Sequence, residues 1–203
     1  MGIAERKERE KLEMQELILQ TAAELFVTQG FEKTSMRNIA EAIEYSPATI
    51  YLYFKDKNEL FYALQKEAFQ KFFQYFQTVP KLKDPMQRLR RLGRIYIKFS
   101  FENPAYYDLM FIMREPMWAE ATLDNWDEGQ RSHQVLHDII DGCMAKGHFK
   151  GRDPMIVAHL IWSFVHGLAS IKVRERMRMF PDKSHKKIMK DSLETFSDFL
   201  EKM

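Results

Sequence analysis

The sequence predicts an all-α protein, with a three-helix head at the N-terminus joined through a fourth helix to a larger helical domain. Apolar residues recur at three- and four-residue spacing from end to end. Gly and Pro fall between these periodic segments, and Ser, Thr and Asp stand where helix N-caps belong. No alternating strand pattern, internal repeat or low-complexity linker interrupts the reading.

The helices can be placed in order. The first should span about Glu8 to Gln29 and stop at Gly30, with Met14, Ile18, Ala22 and Leu25 on one stripe and Leu19, Ala23 and Phe26 widening it. Thr34 is expected to cap a short helix through Ile43. Ser46 is expected to cap another, with Pro47 at its first position and Tyr53 near its end. Asp56, followed three residues later by Glu59, reads as the capping box of a fourth helix that runs to about Thr78. Breaks at Pro80 to Pro85, Asn103-Pro104, Pro116, Gly147 to Pro154 and Pro181 leave helices near 86–101, 105–114, 119–145, 154–178 and 183–202.

Whole-chain properties narrow the class. With 203 residues the chain can bury a full core. Its single cysteine, Cys143, excludes an intrachain disulfide, fits a reducing compartment and is expected to be a small buried hydrophobe. The N-terminal run MGIAERKEREKLEMQE is charged where an export signal would be apolar, and Arg6 stands where a myristoylation signal has Ser or Thr. The apolar stretch from Met155 to Ile171 is broken by His159, Ser163, His166 and Gly167 and is expected to be a core helix. A cytoplasmic protein with no membrane partner is expected. The net charge is only +2, and residues 1–55 hold seven Lys or Arg against nine Asp or Glu, so any case for nucleic acid must rest on arrangement.

That arrangement is present. Two short helices joined around Glu44 and Tyr45 have the proportions of a helix-turn-helix, whose second helix enters the major groove while the first braces it. Ile39, Ala40, Ile43 and Ile50 would form its small core, closed by Phe26, Phe31 and Phe54. The run Ala22-Ala23, Leu25-Phe26, Gly30-Phe31, Thr34, Met36, Ile39-Ala40, Ser46, Thr49-Ile50-Tyr51, Tyr53-Phe54, Lys57 and Leu60 resembles the N-terminal signature of the TetR family of bacterial transcriptional regulators. The resemblance covers about residues 14–64 and is gapless. It implies a helix-turn-helix domain over 1–56 and, over 57–203, a helical effector-binding and dimerisation domain. The family usually has Ala-Gly-Val through the turn, where this chain has Ile43-Glu44-Tyr45. A left-handed Glu44 would cost roughly 1 kcal/mol relative to glycine.

Residue roles in the head follow partly from chemistry. Ser46 is expected to cap the recognition helix, where free N–H groups can also meet phosphate. Pro47 and Ala48 are small enough for close approach to DNA and serve equally to start the helix. Thr49 offers a methyl to thymine or a hydroxyl to a base or phosphate. Tyr51 and Tyr53 are candidate phosphate or groove contacts, with packing as the alternative for one ring, and the resemblance favours Lys57 as a phosphate contact. Thr34, Arg37 and Lys55 complete the candidate DNA set, and Asn38 and Lys33 are weaker members. Residues 46–52 contain no Arg or Lys, so specificity is expected to lean on apolar, hydroxyl and shape contacts.

Behind the head, large flexible apolar residues suit either a core or an adaptable cavity. The candidate effector set is Arg94, Phe99, Tyr106, Tyr107, Met110, Phe111, Arg114, Trp126, His133, His137, Trp162 and His166. Trp162, His166 and Gly167 form a short pattern similar to one in a TetR subset, with Trp162 and His166 one turn apart on the same face. His133 and His137 have the spacing of two metal ligands but no local third, so no metal is expected. No cofactor motif or catalytic constellation is found, and no enzyme activity is expected.

The expected function is that of a ligand-responsive transcriptional regulator, most simply a repressor. The resemblance implies a homodimer, built by the last two helices, that binds duplex DNA with twofold-related half-sites, and a small hydrophobic or aromatic effector is expected to release it. The acidic balance of the head and Glu44 also fit a helical small-molecule-binding protein without specific DNA recognition.

Overall fold

The computed structural model describes residues 2–113 and 127–203, which form nine α-helices and no strand among the described residues. These are α1 (Ile3–Gln29), α2 (Met36–Ala42), α3 (Pro47–Tyr51), α4 (Lys57–Gln77), α5 (Pro85–Glu102), α6 (Pro104–Phe111), α7 (Asp127–Ala145), α8 (Pro154–Val173) and α9 (Asp182–Glu201). The all-α expectation holds. The chain divides into two compact units, with the divisions at Ala68/Phe69 inside α4 and at Pro104/Ala105 at the start of α6.

The first unit comprises the chain up to Ala68 together with the segment that begins at Ala105. Its core joins Ile18, Ala22 and Phe26 of α1 to Ile39 and Ala40 of α2, Ile50 of α3, and Leu60, Phe61 and Leu64 of α4. The rings of Phe26, Phe31 and Phe61 meet at centroid separations of 5.1 to 5.9 Å in tilted and edge-on contacts, the geometry that aromatic quadrupoles favour. Leu109 of α6 is buried in the same core. This unit is therefore larger than the 1–56 segment read from the sequence. Three helices alone do not close its core, and Leu60, Phe61 and Leu64 of α4 belong to the head rather than to the larger domain.

The second unit comprises Phe69–Pro104 and the chain from α7 onward. Helix α5 is its centre and packs against α7, α8 and α9. Asp84 caps α5, accepting from the Met86 N–H at 3.0 Å, and Pro85 takes the first turn where no N–H is required. Leu89, Leu92, Tyr96 and Phe99 face inward. A Cβ on Gly93 would lie 3.3 Å from Leu193 and 3.6 Å from Val165, so the absent side chain lets α5 approach α8 and α9. Arg90 pins α9 to α5 by pairing with Asp198 and Glu201, each at 2.8 Å. Cys143 is fully buried, and burial and the nearby Asp84 push its thiol up to about 11, which leaves it unreactive.

Several boundaries differ from the sequence reading. Helix α1 begins at Ile3, because i to i+4 pairs such as Arg6–Glu10 at 3.0 Å support an exposed polar helix without an apolar stripe. Ser35, rather than Thr34, caps α2: its hydroxyl accepts from the Asn38 N–H at 3.1 Å while the Asn38 side chain returns to the Ser35 N–H at 2.9 Å. Helix α8 ends at Val173, short of residue 178. Glu175 there is left-handed (φ 53°) and the Arg176 N–H closes back on the Ile171 carbonyl at 2.8 Å. The part of the expected 119–145 helix that precedes Asp127 lies outside the described residues.

Helix α8 is also not simply a core helix. It is long and apolar enough to cross a membrane by length and composition alone. Val157, Ala158, Ile161, Val165 and Ala169 are buried, whereas Ile156 and Leu160 remain 58% and 55% exposed. One face of it is thus packed within the unit and the other is not.

Candidate functional site

The α2–turn–α3 segment is built by local chemistry. Helix α2 closes with the Tyr45 N–H on the Ala40 carbonyl at 2.9 Å, across a left-handed Glu44 (φ 60°). This six-residue closure normally takes glycine at the left-handed position, so Glu44 bears the strain that its side chain implied. Ser46 then caps α3, accepting from the Thr49 N–H at 3.2 Å, and its hydroxyl also shares a hydrogen bond with the Thr49 hydroxyl at 3.0 Å. Pro47 sits in the first turn. Ile50 is fully buried and anchors α3 to the core.

That anchor determines what α3 presents. Pro47 and Ala48 are exposed and Thr49 is half-buried. Tyr51 is 54% exposed, while Tyr53 is half-buried and packs against the head core. Ser46, Pro47, Ala48, Thr49 and Tyr51 are thereby brought together on one accessible helix. Lys55 is exposed beside it, and its N–H donates to the Glu59 carboxylate at 2.6 Å.

The other candidates stand differently. Thr34 is buried, its hydroxyl donating to the Gly30 carbonyl at 2.9 Å, so it closes the end of α1 rather than offering a hydroxyl outward. Arg37 is exposed and paired with Glu41 at 3.0 Å, a surface pair that is readily exchanged for a stronger anion. Lys57 is half-buried and donates to the Phe31 carbonyl at 2.8 Å. Two exposed residues flanking α3, Tyr45 and Leu52, were not among the candidates. The position of the buried Ile50 shows that Leu52 points away from the core.

The candidate effector residues divide between the two units. Tyr106, Tyr107, Met110 and Phe111 belong with the head. Tyr107 and Met110 are buried there, and the Tyr107 and Phe111 rings lie 5.4 Å apart. Tyr106 donates to the Glu67 carboxylate; burial first, then that bond and the charges of Glu67 and Glu16, raise its hydroxyl above the ordinary tyrosine range. Arg94, Phe99, His133, His137, Trp162 and His166 belong to the second unit. Phe99 is fully buried among aromatic rings, 4.9 Å from Phe72. Arg94 is half-exposed and pairs with Glu194 at 3.4 Å.

The second unit brings Trp162 and His166 together, as their spacing implied, at 5.7 Å between centroids. It adds a residue that sequence reasoning missed, the buried Tyr96, whose hydroxyl lies 3.1 Å from His166 Nδ1. Tyr96 had been hidden by its membership of an ordinary apolar stripe. Burial lowers the pKa of His166 below 6.5, favouring the neutral ring. The His133 and His137 rings lie 4.5 Å apart, and no group of three metal-ligating side chains is found among the described residues. Arg114 and Trp126 lie outside the described residues.

Comparison with known proteins agrees with this geometry. The family model of bacterial regulatory proteins of the tetR family matches residues 18–64, and that of the tetracyclin repressor-like C-terminal domain matches residues 89–194. The chain belongs to the TetR family. A probable acrEF/envCD operon repressor from Escherichia coli K12 is 25% identical over 153 residues, covering 71% of this chain and 69% of that one. Among solved structures, the TetR family regulator PfmR of Thermus thermophilus aligns with a TM-score of 0.70 at 20% identity, covering 90% of this chain and 96% of the other. The fatty acid degradation regulator FadR of Bacillus halodurans aligns with a TM-score of 0.68 at 17% identity, covering 88% and 94%. At those identities the two structures establish the shared fold. As a TetR family member the protein is a DNA-binding transcriptional regulator and not an enzyme.

Proposed function

We propose that the protein is a ligand-responsive repressor that binds a palindromic operator as a homodimer and is released by a small apolar or aromatic effector. The observation that carries this reading is the recognition helix itself. It is capped by Ser46, anchored by the buried Ile50 and otherwise accessible through Ala48 and Tyr51, so a short uncharged helix is free to enter a major groove. Ser46, Pro47, Ala48, Thr49 and Tyr51 form the base-facing set, with Arg37, Tyr53, Lys55 and Lys57 as flanking candidates. Thr34 acts by supporting the head.

Two further observations support the remaining parts. Exposed Ile156 and Leu160 on α8 and exposed Phe199 on α9 form unpartnered apolar faces, and the stacked Phe164 and Phe196 rings, 3.8 Å apart, join the two helices. A second copy packing there would give a twofold dimer that matches twofold-related half-sites. For the effector, the hydrogen-bonded Tyr96–His166 pair lies against Trp162 and Phe72, a polar point in an aromatic surround. That combination suits a small, largely apolar or aromatic molecule with one hydrogen-bonding group. Repression requires only that the effector bind the non-operator state better than the operator state. Such a regulator would work in the cytoplasm.

Selection from a random duplex-DNA library at near-physiological salt tests the reading. A palindrome bound at least roughly a thousandfold more tightly than scrambled DNA is expected. Weak, sequence-indifferent binding would leave a small-molecule-binding protein without specific DNA recognition.

A further inference from the structure

We infer that Leu52 is a specificity-determining residue that reads thymine through its 5-methyl group, an inference that rests on the operator-binding reading above. Leu52 follows α3 and keeps helical backbone angles (φ −72°, ψ −20°), with its N–H donating to the Thr49 carbonyl at 3.2 Å. The helical wheel therefore extends through it. At about 100° per residue, Ala48 and Leu52 lie roughly 160° to either side of Ile50. Ile50 is fully buried, so Ala48 and Leu52 straddle the outward pole of the helix.

Leu52 is 81% exposed, the greatest exposure of any large hydrophobic among the described residues. It contributes almost nothing to the head core, and no Lys, Arg, Asp or Glu occurs from Tyr45 to Phe54. The outermost side chain of the helix is thus one that can neither donate nor accept a hydrogen bond. Ala48, one turn earlier, is short enough to let the helix approach closely. Among the base edges in the major groove only thymine presents an apolar group, whereas a leucine set against the other edges would strip water from polar atoms without replacing it. The chemistry that recognises this surface is a methyl group at a fixed position in each half-site.

The test uses the full chain and the operator recovered by selection. Each thymine of a half-site is replaced in turn by deoxyuridine, which removes the methyl group and leaves every hydrogen-bonding group in place. At one or two positions affinity should fall roughly three- to tenfold, the range expected for burying a methyl group. Leu52→Ala should lose a similar factor on the unmodified operator and become indifferent to the methyl at those positions, with its melting temperature unchanged. If deoxyuridine costs nothing at any position, or the penalty persists undiminished in Leu52→Ala, the inference is overturned while operator binding stands. If no operator is recovered at all, both are overturned.

Discussion

The Lys57 ammonium donates a hydrogen bond to the Phe31 carbonyl oxygen at 2.8 Å and stands 4.0 Å from the centroid of the Phe31 ring. A residue that resembles a phosphate contact in sequence is therefore also a clasp, tying the start of α4 to the loop that follows α1. Replacing it should do two things at once. Lys57→Ala should lower the stability of the protein by about 1–2 kcal/mol, the combined scale of a charge-assisted hydrogen bond and a partly exposed cation–π contact. Parallel urea denaturation and DNA titrations would separate this from lost phosphate binding. Reduced affinity at unchanged stability would show that the clasp contributes nothing to the fold.

Glu44 occupies a left-handed position that closes α2 (φ 60°). Its side chain is exposed, so nothing in the head core depends on it. Glu44→Gly should raise stability by about 0.5–1 kcal/mol, read as a higher urea midpoint at unchanged slope. A destabilised variant would mean that the Glu44 side chain has a role outweighing the backbone strain.

Acidification should weaken the second unit. Burial depresses the His166 pKa below 6.5; His133 is depressed as well, first by burial and then by the neighbouring His137. Both histidines are harder to protonate when folded than when unfolded. Full stability is therefore present above pH 6.5 and is lost as pH falls from there through the folded values. The loss per histidine should stay below the single-group limit of about 1.4 kcal/mol per pH unit, since solvent reaches both rings. Thermal melts between pH 7.5 and 5 should show a falling midpoint that flattens in a His133→Asn, His166→Asn double variant. An equal slope in that variant would place the dependence elsewhere.

The apolar faces of α8 and α9 should control assembly. Leu160→Glu places a charge among Ile156 and the exposed apolar surface of α8, at a position 55% exposed within one copy. The folded unit should tolerate it while a subunit interface would not. Sedimentation is expected to show a dimer for the unaltered chain and a monomer for the variant, with matching helical content. A dimer in both would assign the interface to another surface.

Much of this protein was legible from residue spacing. The helices followed from apolar periodicity, and Ser46 with Pro47 marked the start of α3 because capping and N-terminal proline are local effects. The left-handed turn at Glu44 was anticipated only through the resemblance, whose pattern usually has glycine at that position. Thr34 was misread because two hydroxyl residues stand in succession and either could cap α2. The choice of Ser35 depends on the reciprocal Asn38 bond and on the burial of Thr34 against α1.

By itself the sequence determined the all-helical class, because periodicity and capping act within a few residues. The uncharged character of the reading surface was there in the composition of residues 46–52, and the family of the head in its resemblance to a known signature. Only the tertiary structure decided which apolar residues are core and which are surface. Leu52 and Leu60 are chemically identical, yet one is 81% exposed and the other fully buried. That difference is set by where Ile50 and Phe61 meet the rest of the head, through contacts between residues far apart in the chain. It likewise placed Tyr96 against His166 across 70 residues, a pairing that no local pattern encodes because hydrogen-bond partners are chosen by packing.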